Sequence, residues 1–175
     1  MDVVIKKSRF KTQTTVAKDI LKKIAVSSYI NGMSVSSSSD EHLGLVNPAT
    51  GLESISMPAG SELDVIRAVA SAKAAYVNGL WTNLPRATRR TLLHNFASLI
   101  EEHALELDKL DAADMGKPIG LAFGNAKGAA KLLRYCIDAT ENMTSDAYNS
   151  DRGCCIAQQL VPRGVIAAVV PWNFP

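Results

Sequence analysis

Two kinds of residue in this chain could do chemistry: a carboxamide at the end of an apolar run, and a small set of thiols. The C-terminal run reads Gly164-Val165-Ile166-Ala167-Ala168-Val169-Val170-Pro171-Trp172-Asn173-Phe174-Pro175. Residues 165–170 are wholly apolar and rich in β-branched side chains, the pattern of a strand buried on both faces of a parallel sheet. In open α/β sheets ligands gather at the carboxyl ends of the strands. Here that end would present Trp172 and Asn173, flanked by Pro171 and Pro175, whose rings stiffen the backbone. A carboxamide held in this way can donate its NH2 to charge developing on a carbonyl oxygen, which makes Asn173 a candidate oxyanion donor. An Asn at a strand end is also a common turn former, and the residues alone leave both roles open.

The thiols are Cys136, Cys154 and Cys155. Their spacing fits neither a disulfide framework nor a zinc site, and adjacent cysteines bridge poorly to each other. They are read as reduced thiols with structural roles in a cytoplasmic protein. His42, His94 and His103 are scattered, and the last two are too far apart to ligate one metal from a helix, so surface or half-buried histidines are expected. Arg86, Arg89 and Arg90 cluster at the start of a helical pattern. A phosphate site is conceivable there, but three cations oppose the helix dipole at an N-terminus, so a solvated or ion-paired face is expected.

Composition narrows the class. The chain has 175 residues, 47% of them hydrophobic and 21% charged, with a formal net charge of +2. That is a globular balance with enough length for one real core. The charge is too small to imply a nucleic-acid partner. No apolar run is long enough to span a bilayer, and the N-terminus lacks the apolar core of a signal peptide. Residues 1–28 form a basic extension in which Val16, Ile20 and Ile24 take helical spacing. Such a segment can be a membrane-touching helix or a presequence, but its apolar face is weak and it carries one arginine, so a solvated helix on the body of the protein is expected.

The elements that must position the C-terminal run follow from turns and periodicity. Asn31-Gly32 after apolar residues signals a tight hairpin. Asn47-Pro48-Ala49-Thr50-Gly51 is a turn between short strands at residues 43–46 and 52–57. Ser61 with Asp64 three residues on predicts a capped helix whose face is Val65, Val69, Ala72 and Tyr76. Pro85 suits the first turn of the next helix, with Leu92, Leu93, Phe96, Leu99 and Ile100 as its buried stripe. A third helix ends at Met115-Gly116-Lys117-Pro118. A fourth is expected over residues 121–142, with Ala126, Ala129, Ala130, Leu133 and Ile137 inward and Gly124 and Gly128 allowing close packing. A polar connection at 145–153 leads to a strand at 154–161. Helices followed by a buried strand point to an α/β class.

Val170-Pro171-Trp172-Asn173-Phe174-Pro175 resembles the signature of the NAD(P)-dependent aldehyde dehydrogenase superfamily. So do Tyr29-Ile30-Asn31-Gly32, Asn47-Pro48-Ala49-Thr50-Gly51, Trp81 followed by Arg89, Leu99-Ile100-Glu101-Glu102 and Gly116-Lys117-Pro118, in the family's order and near its spacing. Arg163-Gly164-Val165 is similar too, although members usually carry Pro between the Arg and the Gly, and here Pro162 precedes Arg163. The resemblance spans residues 29–175. The run into Asn173 looks most like the aminoaldehyde branch, including enzymes of γ-glutamylated aminobutyraldehyde.

The resemblance implies an α/β fold: a helical layer, the start of a Rossmann-like parallel sheet, and antiparallel oligomerisation strands at 29–57 and 154–161. Residues 29–175 would be the N-terminal part of an NAD(P)-binding domain. By the same resemblance Asn173 is the oxyanion residue, and Val170, Pro171 and Trp172 lie against the nicotinamide of NAD or NADP. The parent would oxidise a small aldehyde to a carboxylic acid as a homo-oligomer, dimer or tetramer, with no nucleic-acid or membrane partner. The family's nucleophilic Cys, general-base Glu and cofactor-binding Lys correspond to positions beyond Pro175, so the 175 residues are expected to be inactive alone. The competing expectation is a non-catalytic remnant serving as an oligomerisation or interaction module.

Overall fold

The computed structural model describes residues 27–48, 51–149 and 153–171. The basic extension, except for its last residues, and residues 172–175 lie outside the described residues.

The chain opens with two antiparallel ribbons. Strands β1 (Ser28–Ile30) and β2 (Met33–Val35) pair with Ile30 opposite Met33. The turn between them holds Asn31 at φ 54° and Gly32 at φ 75°. Two positive φ values in succession define the turn that Asn-Gly favours, as the sequence predicts. Strands β3 (His42–Asn47) and β4 (Leu52–Pro58) form the second ribbon, with a register shift between Leu45 and Val46. Gly51 closes its turn at φ 67°, and its N–H reaches the Asn47 carbonyl at 2.8 Å.

Helix α1 (Glu62–Val77) starts at the predicted capping box: the Asp64 N–H donates to Ser61 Oγ at 3.1 Å, and the Ser61 N–H donates to Asp64 Oδ2 at 3.0 Å. The expected apolar face is not buried. Val65 is 61% exposed, and Val69, Ala72 and Tyr76 are exposed as well, because the element α1 packs against is the small strand β1.

Helix α2 (Arg86–Glu102) and helix α5 (Asn125–Glu141) make the main packing contact, and α3 (Ala104–Met115) lies beside them. The seam is built from small side chains. Ala97, Ala122 and Ala130 are wholly buried, with Ile137, Ala104, Ala113 and Ala126 around them. Small residues let the helix axes approach closely, and that decides which way α2 turns. Its seam residue is Ala97, flanked by half-buried Leu93 and Ile100, while Leu92, Phe96 and Leu99 of the expected stripe face outward.

Helix α3 ends at Gly116 in the left-handed region, φ 69°. A Cβ there would also stand 2.5 Å from Pro48 Cγ, so two turns meet at a site only Gly fits. The fourth expected helix is two. Helix α4 (Ile119–Ala122) stops, Gly124 turns at φ 97°, and α5 begins. The physical reason is Asp108 of α3, 4% exposed, whose carboxylate accepts the Gly124 N–H at 2.7 Å and the Ala126 N–H at 2.9 Å. It caps α5 from a neighbouring helix, which requires the chain to bend first. Gly128 faces open space, so it is no close-packing residue.

The third ribbon pairs β5 (Ala147–Asn149), inside the expected polar connection, with β6 (Cys155–Ala157), shorter than the expected strand. The largest departure is residues 165–170. They form no strand, and Val169 is fully exposed. A strand apolar on both faces needs neighbouring strands to take its backbone bonds, and no described element lies alongside to supply them.

Candidate functional site

The route to the candidate site is anchored on α1. The Tyr76 hydroxyl donates to the Pro162 carbonyl at 3.4 Å. Gly164, at φ 102°, lies against the ring of the same tyrosine, which a Cβ would approach at 3.8 Å. Past this point, through Pro171, the chain has no helix or strand and its side chains are exposed. Val170 and Pro171, two of the residues expected to lie against a cofactor, are exposed. Trp172 and Asn173, the other expected site residues, lie outside the described residues.

Three polar clusters hold the frame, one of them largely exposed. Asp64 does more than cap α1. It also accepts from the Ser37 hydroxyl at 2.6 Å and from the Ser38 N–H, so the loop after β2 is tied to the start of the helix. The Ser37 hydroxyl first, then the Ser61 N–H, hold this carboxyl far below the usual carboxylate range. Between α2 and α5, Arg134 donates to Ser98 Oγ at 3.0 Å and to Glu101 Oε2 at 2.8 Å, and this bond lowers the Glu101 carboxyl. Asp111 of α3 pairs with Lys117 at 3.5 Å and accepts from Asn125 Nδ2 at 3.1 Å, joining the turn at Gly116 to the start of α5. Beyond the Ser61–Asp64 capping box, the sequence predicts none of these partnerships. The serine run at 36–39 carries the one signal that could have drawn attention, since short hydroxyl side chains beside a helix start are natural partners for a capping carboxylate.

The histidines are as expected: His94 is half-buried, and His42 and His103 are exposed. The three cysteines are exposed and form no disulfide among the described residues. Among the described residues no group of His, Cys, Asp or Glu could hold a metal ion. Of the arginines at the start of α2, Arg90 is ion-paired with Asp138 of α5 at 3.1 Å.

The arrangement is therefore a helical scaffold followed by an exposed apolar segment at residues 165–171. Comparison with known proteins decides which scaffold. Residues 34–175 match the model of the aldehyde dehydrogenase family. The chain belongs to that family. It is 32% identical over 148 residues to the NADP/NAD-dependent aldehyde dehydrogenase PuuC of Escherichia coli (strain K12), an alignment covering 84% of this chain and 30% of that protein. It is 35% identical over 153 residues to a phenylacetaldehyde dehydrogenase of Pseudomonas fluorescens, covering 83% and 30% of the two chains. Among solved structures it is similar to apo indole-3-acetaldehyde dehydrogenase, with a TM-score of 0.80, 29% identity, and coverage of 93% of this chain and 39% of that one.

This aldehyde dehydrogenase chain thus spans about 30% of the length of the curated relatives it matches. Its mixed helix and ribbon architecture corresponds to the N-terminal part of aldehyde dehydrogenase structures. Among the described residues no helix is long and apolar enough to cross a membrane.

Proposed function

We propose that this chain supplies the N-terminal part of the dinucleotide-binding domain of an enzyme that oxidises an aldehyde to a carboxylic acid with NAD or NADP. The observation that carries the reading is the family match, which continues through residue 175 and so includes Asn173. Asn173 is the oxyanion donor of this reading. Its side-chain NH2 donates to the oxygen of the carbonyl under attack and holds the negative charge that develops there.

Val170, Pro171 and Trp172 form the wall against the cofactor. Val170 and Pro171 are apolar, exposed and uncharged, which suits the flat face of a nicotinamide ring and keeps water from it. When bound, the dinucleotide accepts the hydride of the aldehyde. The described residues offer its phosphates no glycine-rich cradle, so the chain contributes one side of that site. The nucleophile and general base are assigned to the remaining length that relatives carry. The ribbons near 29–57 and 154–161 serve subunit contact in a homo-oligomer, and the substrate is an aminoaldehyde.

The test is turnover. A chain that continues past Pro175 with the rest of the family's length should reduce NAD or NADP when given aminobutyraldehyde, while purified 1–175 should not. Turnover by 1–175 that disappears when one of its cysteines is replaced would overturn the division of labour. An extended chain inert toward amino, aliphatic and aromatic aldehydes alike would overturn the activity.

A further inference from the structure

The arginine cluster at the start of α2 is only partly used by the fold, and the unused part faces a cleft. Arg90 is neutralised by Asp138. Arg86 and Arg89 make no ion pair among the described residues, and both line a cleft of about 540 Å³. The cleft lies between the turn before α2, the end of α5 and the segment that leads toward the site. Trp81, Leu93, Ile137, Met143 and Leu160 give it apolar walls. Glu141 is the one carboxylate on its lining, against two unneutralised guanidinium groups.

We propose that this cleft binds a small organic anion: an anionic head on an aromatic or branched apolar body. The volume lies within the range of small-molecule sites. Guanidinium groups match carboxylate and phosphate oxygens through paired N–H donors, and such bonds are stronger than neutral ones. Trp81, 43% exposed, offers a face on which a flat body can stack. Apolar walls with a cationic rim select an amphiphile over a bare inorganic ion, which would leave the walls wet. The proposal does not depend on the oxidation of an aldehyde.

The chain has two tryptophans, Trp81 and Trp172, so Trp172→Phe leaves Trp81 as sole reporter. Phenylacetate and phenyl phosphate, titrated separately into that full chain, should change Trp81 fluorescence saturably, and their relative affinities tell a carboxylate site from a phosphate site. Phenylacetamide, the neutral isostere, should bind at least about tenfold more weakly, the loss expected of a charge-assisted bond. Arg86→Gln with Arg89→Gln should weaken both anions by a similar factor. Glu141→Gln should tighten them, a gain that a misfolded variant cannot mimic. Absence of saturable binding, equal binding of acid and amide, or an unchanged affinity in the double variant would each overturn the proposal.

Discussion

His94 Nδ1 lies 3.2 Å from Arg134 Nη1, and a guanidinium can only donate, so this ring nitrogen is the acceptor. The ring proton of neutral His94 is therefore on Nε2, which faces Asp138 Oδ1 at 3.4 Å. One imidazole of α2 thus lies between a guanidinium and a carboxylate of α5. Nitrogen-15 spectra of the neutral ring should show the Nε2–H tautomer. A dominant Nδ1–H form would break the assignment.

Arg134 is the hub of the same seam, since it also serves Ser98 and Glu101. Arg134→Ala should lower the thermal midpoint by a few degrees, more than exposed single ion pairs usually contribute, because three partners lose their donor together. Arg134→Lys should recover only part of the loss, since an ammonium lacks the planar fork. Full recovery by Lys would show that charge alone matters.

Acid should loosen the link between the loop after β2 and α1. Asp64 and Glu101 have carboxyls lowered in the folded state. A lowered folded value means that their contribution is present above the unfolded carboxylate range, near pH 4, and is lost as pH falls below it. Denaturation followed from neutral pH downward should show a flat region and then a decline below about pH 4. Asp64→Asn should reduce the steepness of that decline. A variant with the same acid slope as the parent would remove Asp64 from the account.

Asp108 caps α5 from outside it. Asp108→Ala removes the acceptor of two amides, those of Gly124 and Ala126, and should cost about 0.5–2 kcal/mol, the range of a lost helix cap. Hydrogen exchange localises the effect: the amides of Gly124 and Ala126 should lose protection first. Uniform loss across the chain would mean that Asp108 supports the core in some other way.

In the extended enzyme of the proposed reading, Asn173→Ala should reduce kcat by roughly 10²–10³, the usual cost of one oxyanion donor, with a much smaller change in KM. A near-normal kcat would leave Asn173 as a turn residue.

Local signals were legible in the sequence. Asn31-Gly32 set its turn, Ser61 and Asp64 set their capping box, and Gly116 ended its helix, because each depends on residues a few positions apart. Signals that need a distant partner were not. The break at Gly124 is decided by Asp108 in another helix. The direction of the α2 stripe is decided by Ala97 meeting α5, and apolar periodicity alone favoured the larger Leu92 and Phe96. Residues 165–170 have the composition of an inner strand, but composition cannot create the neighbours that a strand pairs with. The resemblance at Val170-Pro171-Trp172-Asn173 named the family that the comparisons bear out, while the positions of Trp172 and Asn173 lie outside the described residues.

The ribbons have a consequence for the order in which the chain acquires structure. Among the described residues each strand pairs only with its next neighbour along the chain, β1 with β2, β3 with β4 and β5 with β6. Hairpins of this kind close within microseconds, whereas synthesis adds residues over tens of milliseconds or longer. Every ribbon is therefore able to form while the ribosome is still adding the next element. Residues 165–170 have no such local partner among the described residues, so any strand they form must wait for a neighbour distant along the chain, a slower event than hairpin closure.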